Sequence, residues 1–200
     1  MNENLKIWLV RSARPVVWPL RLGIRQAGVW SILEQDVAQW VKGITNSTLR
    51  SLPRSDQFVW LTLKHAEFRT LVLYRVRSLS LPTRIALRGI YRPLVTLDIE
   101  CPDIGPGLFI QHGFATTITA ARIGSNCWIN QQVTIGFTSS GRPTIGDDVR
   151  IAAGAVVIGN ITISDGATIG ANATVVNDVA ANDTVVAPKA VSIGNRGSRN

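Results

Sequence analysis

The side chains of this 200-residue chain best suited to moving a proton at neutral pH are its two histidines, His65 and His112. An imidazole ordinarily titrates near pH ~6.5, so either ring can take a proton from a hydroxyl and return it. Asp98 and Asp103 stand shortly before His112, and either could hold its tautomer as the acid of a triad does. Asp98 could equally cap a first turn, and His112 could be held at a turn by a structural hydrogen bond. His65 lies on an expected helix, where a structural role is the better reading. Two histidines are too few for a three-histidine zinc site. The only cysteines, Cys101 and Cys127, give neither a disulfide framework nor metal-ligand spacing, so no metal is expected. With no histidine in matching register, both read as core residues rather than nucleophiles.

What positions His112 is a repeat. From Ile145 every sixth residue is aliphatic: Ile145, Ile151, Val157, Ile163, Ile169 and Val175. Four residues beyond each stand Val149, Ala155, Ile161, Ala167, Ala173 and Val179. A helix recurs at 3.6 residues and cannot produce this pattern. Short strands joined by turns rich in Gly, Asn and Asp can, and a period of six is the mark of a parallel β-helix. The pattern starts earlier at Ile104, Ile110 and Thr116, then resumes after a one-residue shift at Ile123, Ile129 and Ile135. Ten residues separate Ile135 from Ile145, so the stretch 136–144 must leave the stack as a loop, a usual place for function.

The first 95 residues read differently. Ala27 to Val41 places Trp30, Leu33, Val37, Trp40 and Val41 on one helical face; Leu71 to Leu81 is also expected to be helix. This half carries 15 Lys/Arg against 5 Asp/Glu, while residues 96–200 carry 6 against 8. It also holds Trp8, Trp18, Trp30, Trp40 and Trp60. Basic residues among tryptophans suit an anionic membrane surface; a solvated basic face is the plainer alternative. No nucleic-acid-reading motif accompanies the charge. No apolar run is long enough to span a bilayer, the N-terminus lacks a clean signal peptide, and a cytoplasmic location is expected, with the inner membrane face a variant of it.

The segments DIECPDIGPGLFIQHGFATTI, IGSNCWINQQVTIG and VRIAAGAVVIGNITISDGATIGANATVV resemble the serine acetyltransferase family of hexapeptide-repeat enzymes. The phrase AEFRTLVLYRV at 66–76 is similar to one found in polysaccharide-linked members such as the colanic acid acetyltransferases. The resemblance implies a mainly β protein: a single-stranded left-handed parallel β-helix at 96–194, preceded by a helical region at 1–95 and followed by a tail at 195–200. It further implies a homotrimer with active sites between subunits, and acetyl-CoA as acyl donor. His112 would be the catalytic base and Asp98 its partner. Gly136, Ala153, Gly170 and Lys189 match positions that line or anchor coenzyme A, though Gly and Ala occur at such places for turn geometry too.

Three departures bear on the acceptor. Enzymes that acetylate free serine carry an Asp before the catalytic His, where this chain has Gln111, and an amide cannot supply the Coulomb attraction that selects an ammonium. Their inserted loop holds a second histidine; here it reads Arg142-Pro143-Thr144, and Arg142 could clamp a carboxylate or phosphate. The C-terminus GNRGSRN lacks the terminal Ile of many members. The expectation is therefore a sugar-hydroxyl O-acetyltransferase of bacterial surface-polysaccharide synthesis. Serine O-acetyltransferase is the alternative, and a non-catalytic β-helix scaffold the alternative of another class.

Overall fold

The computed structural model describes residues 3–191, so the expected tail at 195–200 lies outside the described residues. Seven α-helices come first: α1 (Glu3–Ser12), α2 (Trp18–Ala27), α3 (Trp30–Gly43), α4 (Ser47–Ser51), α5 (Arg54–Lys64), α6 (Ala66–Arg75) and α7 (Leu81–Ile90). A 3-10 turn at Arg14–Val17 joins the first two. The expected amphipathic helix is α3, beginning at Trp30 rather than Ala27, with Leu33, Val37 and Trp40 buried. The helix expected over Leu71 to Leu81 is not continuous: α6 stops at Arg75, and α7 starts at Leu81 with Pro82 in its first turn. Proline suits a first turn because its missing N–H would be unpaired there anyway.

Thirteen short strands then wind a parallel solenoid of about five turns, matching a left-handed hexapeptide-repeat β-helix. The first sheet stacks β1 (Leu97–Ile99), β3 (Thr116–Ile118), β6 (Thr134–Gly136), β9 (Val156–Ile158) and β12 (Thr174–Val175). The second stacks β4 (Arg122–Ile123), β7 (Thr144–Ile145) and β10 (Thr162–Ile163). The third stacks β2 (Phe109–Ile110), β5 (Trp128–Ile129), β8 (Arg150–Ile151), β11 (Thr168–Ile169) and β13 (Thr184–Val185). All twelve periodic positions from Ile145 to Val179 are buried. Like side chains lie over one another, Ile110 on Ile129 on Ile151 on Ile169, because coils repeat at the inter-strand distance of about 4.8 Å. No coil could bury its own apolar edge, so the stack is the source of stability.

The register corrects one expectation. Ile118, not Thr116, pairs with Ile135, while Thr116 pairs with Leu97 one coil earlier. Ile110 and Ile118 are thus eight residues apart where Ile129 and Ile135 are six apart. The next corner is short by one, with five residues from Ile118 to Ile123. A two-residue expansion and a one-residue contraction together look like a one-residue shift. The expansion falls at 111–115, the corner holding His112.

A buried ion pair joins the two halves. Asp36 on α3 and Arg75 on α6 meet at 2.9 and 3.0 Å with both side chains at or below 3% exposure. Asp36 also accepts the Gly107 and Leu108 amides, and Arg75 also donates to the Ile104 and Gly105 carbonyls. Burial pushes the Asp36 carboxyl up, against the pull of Arg75 and the two amides. Alongside, Trp40 donates to the Leu108 carbonyl at 2.8 Å and packs edge-on against Phe68 and Phe109, and Phe109 in turn against Trp128. A side chain on Gly43 would strike the Phe109 ring at 2.5 Å. Removing one partner of such a pair leaves a buried charge and orphaned backbone groups. Arg75→Met is expected to lose about 3–5 kcal/mol of unfolding free energy in urea titration. The double change Asp36→Leu/Arg75→Met should not recover it, because four backbone groups stay unpaired.

Candidate functional site

The corner that follows β2 carries three residues with left-handed backbone: His112 at φ 65°, Gly113 at φ 57° and Ala115 at φ 51°. The matching corners below carry only one each at the same level, at Gln132, Gly154 and Asn172. A left-handed residue with a side chain costs roughly 1–2 kcal/mol, so the extra turn persists only where its surroundings hold it. Gly113 meets that demand by having no Cβ; one there would lie 3.1 Å from Glu67 Cβ on α6 and 3.1 Å from Ile110 Cγ2. The helical half therefore packs directly against the bulge. His112 is left exposed at its tip.

His112 lines a cavity of about 240 Å³ together with Gln111, Phe109, Trp40, His65 and Glu67. His65 Nδ1 faces Glu67 Oε1 at 3.2 Å, and the His65 ring rests against Trp40 and Trp60. Packing on two tryptophans fits the structural role expected of His65, yet His65 and Glu67 share the His112 cavity, a grouping that neither periodicity nor spacing marks. The signal for it is the phrase AEFR, which opens α6 directly against the expanded corner. Gln111 turns its Oε1 to Trp128 Nε1 and Asn130 Nδ2, both at 3.2 Å, so its carbonyl is committed to the wall.

Asp98 lines a different cavity. It is exposed on β1, opposite Thr117, and lines a larger cleft of about 670 Å³ between the helices and the first coil. Among the described residues no hydrogen bond or ion pair joins it to His112. Arg142 lines the same cleft, donating to the Glu100 carbonyl at 3.2 Å and lying 3.7 Å from its carboxylate. The loop carrying it folds back through paired bonds between Thr138 and Gly141 and exposes Phe137. The structure thus groups Asp98 with Arg142, and His112 with Gln111. Asp103 pairs with Arg122 at 3.2 Å on the surface.

Of the positions assigned to coenzyme A, Ala153 and Gly170 fall on the corner between the third and first sheets, the edge on which His112 stands. The backbone links are Gln132 N to Phe114 O, Gly154 N to Gln131 O and Asn172 N to Ala153 O. Gly136 ends β6 away from that edge, where a Cβ would make only ordinary contact with Ile158 at 3.5 Å. Lys189 is exposed beyond β13. The same edge holds Gln131, whose buried Oε1 has no hydrogen-bond partner. An orphaned buried acceptor is costly and suits a ligand N–H. Both cysteines are buried, and burial pushes the Cys127 thiol up to about 12, so neither is a ready nucleophile. Among the described residues no three His, Cys, Asp or Glu side chains gather as a metal set.

The fold and its edge define a hexapeptide-repeat β-helix protein. Residues 142–177 match the bacterial transferase hexapeptide (six repeats) family. A serine acetyltransferase of Staphylococcus xylosus is 51% identical over 61 residues, a stretch that spans 28% of this chain and 28% of that relative. Among solved structures, serine acetyltransferase from Brucella abortus aligns at 25% identity and TM-score 0.65, covering 84% of this chain and 70% of that one. Soybean serine acetyltransferase complexed with serine aligns at 27% identity and TM-score 0.58, covering 76% and 66%. The family match covers less than half of this chain, and the likenesses are to acetyltransferases over part of their length. The relatives and structures named here are serine acetyltransferases, not the polysaccharide-linked enzymes expected from sequence.

Proposed function

We propose that this chain is an acetyl-CoA-dependent O-acetyltransferase in which His112 takes the proton from the acceptor's hydroxyl. The supporting observation is the expanded corner: two extra residues and a strained backbone serve to present one imidazole at the rim of a rigid wall. An alcohol is almost wholly protonated at neutral pH, so a base within reach of its hydroxyl supplies a large part of the rate, about 10²- to 10⁴-fold. Acetyl-CoA would supply the activated thioester. Ala153, Gly170 and the unpartnered Gln131 Oε1 would border its pantetheine arm, with Gly136 and Lys189 further contributors. Gln131 fits that assignment because a pantetheine amide can donate to it.

Serine is the acceptor that the relatives' names support. A second reading, a sugar hydroxyl in surface-polysaccharide synthesis, is favoured by Gln111, which is uncharged and whose carbonyl is already occupied. Asp98 is the proposed positioning carboxylate, with Glu67 its rival because it lines the His112 cavity. Homotrimerisation, which would add a neighbour's wall to the edge, belongs to the same proposal. So does contact with an anionic membrane. Trp8 and Trp18 are 62% and 63% exposed on α1 and α2, beside exposed Leu5, Leu9 and Leu22 and the nearby arginines Arg11, Arg14, Arg21 and Arg25. Interfacial tryptophans flanked by arginine suit the headgroup region.

Thiol release from acetyl-CoA should occur with serine and be slower with sugars; the reverse order would install the polysaccharide reading, and no release with any acceptor would leave a scaffold. Asp98→Asn is expected to lower kcat with little change in KM, whereas a loss confined to Glu67→Gln would transfer the positioning role to Glu67. Vesicles rich in phosphatidylglycerol should sediment the protein, and Trp8→Ala/Trp18→Ala should release it; equal sedimentation with neutral vesicles would contradict an electrostatic contact. Light scattering reporting a monomer would remove the trimer.

A further inference from the structure

The cleft of about 670 Å³ between α7 and the first coil has a charge imbalance that the acetyl-transfer reading does not use. Four arginines line it, Arg77, Arg84, Arg88 and Arg142, against two carboxylates, Asp98 and Glu100. Glu100 is occupied by Arg142. Arg77 stacks on the Tyr74 ring at 4.1 Å and donates to the Pro102 carbonyl at 2.6 Å, which fixes its fork in place. Arg84 and Arg88 stand four residues apart on α7, and among the described residues neither guanidinium has an ion pair or hydrogen bond. Like charges at that spacing repel, and nothing on the helix offsets them. The neutral polar groups of the cleft are already committed: Tyr74 Oη donates to the Cys101 carbonyl, and Thr70 Oγ1 bonds both the Leu94 amide and the Ala66 carbonyl. What the cleft offers a ligand is therefore guanidinium over an apolar floor of Leu73, Leu94 and Leu97.

We propose that this cleft binds a phosphoryl-bearing small molecule, held by Arg84 and Arg88 from α7 and by Arg77 opposite. Guanidinium forks match phosphate oxygens two at a time, and a tetrahedral dianion can engage several forks where one carboxylate engages one or two. The site is separate from the His112 cavity, and its existence does not rest on the transfer chemistry. The phosphoryl group could come from a phosphorylated acceptor or from coenzyme A itself; both present the same oxygens.

Isothermal titration of the full-length protein tests this with four probes: inorganic pyrophosphate, glucose 1-phosphate, coenzyme A and serine. At least one phosphoryl probe is expected to bind, and Arg84→Ala/Arg88→Ala should weaken it by about tenfold or more. Both side chains are exposed, so the variant should melt like the wild type. Arg92→Ala removes an exposed arginine just outside the cleft and should change affinity by less than about twofold, which separates a site from general charge attraction. Loss for pyrophosphate and glucose 1-phosphate but not coenzyme A identifies the acceptor as the source, and the opposite pattern identifies the donor. Absence of binding by all three phosphoryl probes would overturn the proposal. So would equal binding by the double variant, an equal loss in Arg92→Ala, or arginine-dependent binding of serine alone. His112→Ala should bind as the wild type does, so failure of acetyl transfer and failure of this site give different results.

Discussion

The ion pair between Asp36 and Arg75 is the constraint on which the rest of the site depends. It is buried, it links α3 to α6, and it reaches out to the backbone of residues 104–108. Charges held in the interior are rarely a net source of stability, because each loses its hydration. Their value here is geometric. Two amides and two carbonyls of one coil corner are fixed to two helices, so β2 begins from a set position and the His112 corner follows it directly. Trp40 adds a second tie through the Leu108 carbonyl, and its ring continues through Phe109 to Trp128 on the next coil. An exposed imidazole on a strained turn would otherwise have little to hold it.

The two halves of the chain divide the work by the kind of order each can supply. The solenoid is rigid and repetitive, and a repetitive surface has no reason to favour one corner over another. Departures from the period break that symmetry. Two added residues lift His112 out of one corner, and four more raise the loop bearing Arg142 from another. The helices then supply what a bare solenoid lacks: Glu67 against the bulge, the His65 ring beside it, and arginines facing the first coil.

Much of the fold was legible because the inward ladder depends on residue type at fixed spacing. Ile145 through Val179 could be read directly, since any polar residue there would break the stack. The corner at His112 was harder. Its two-residue gain is masked by the one-residue loss before Ile123, and a buried threonine, Thr116, stands where the period expected an aliphatic residue. Asp36 and Arg75 were illegible for a different reason. They lie 39 residues apart and belong to types that normally face water, so nothing local marks them as partners. The grouping of site residues was likewise hidden. Asp98 and His112 are close in sequence, but Asp98 lines the large cleft and His112 the smaller cavity.

His112→Asn distinguishes a base at this corner from a residue that only shapes the turn. Asparagine tolerates the left-handed backbone that this position requires, so the corner should keep its shape while losing its proton acceptor. The variant is expected to keep the wild-type melting temperature while thiol release from acetyl-CoA falls about 10²- to 10⁴-fold in the presence of acceptor. A variant that releases thiol at the wild-type rate would contradict the role of base.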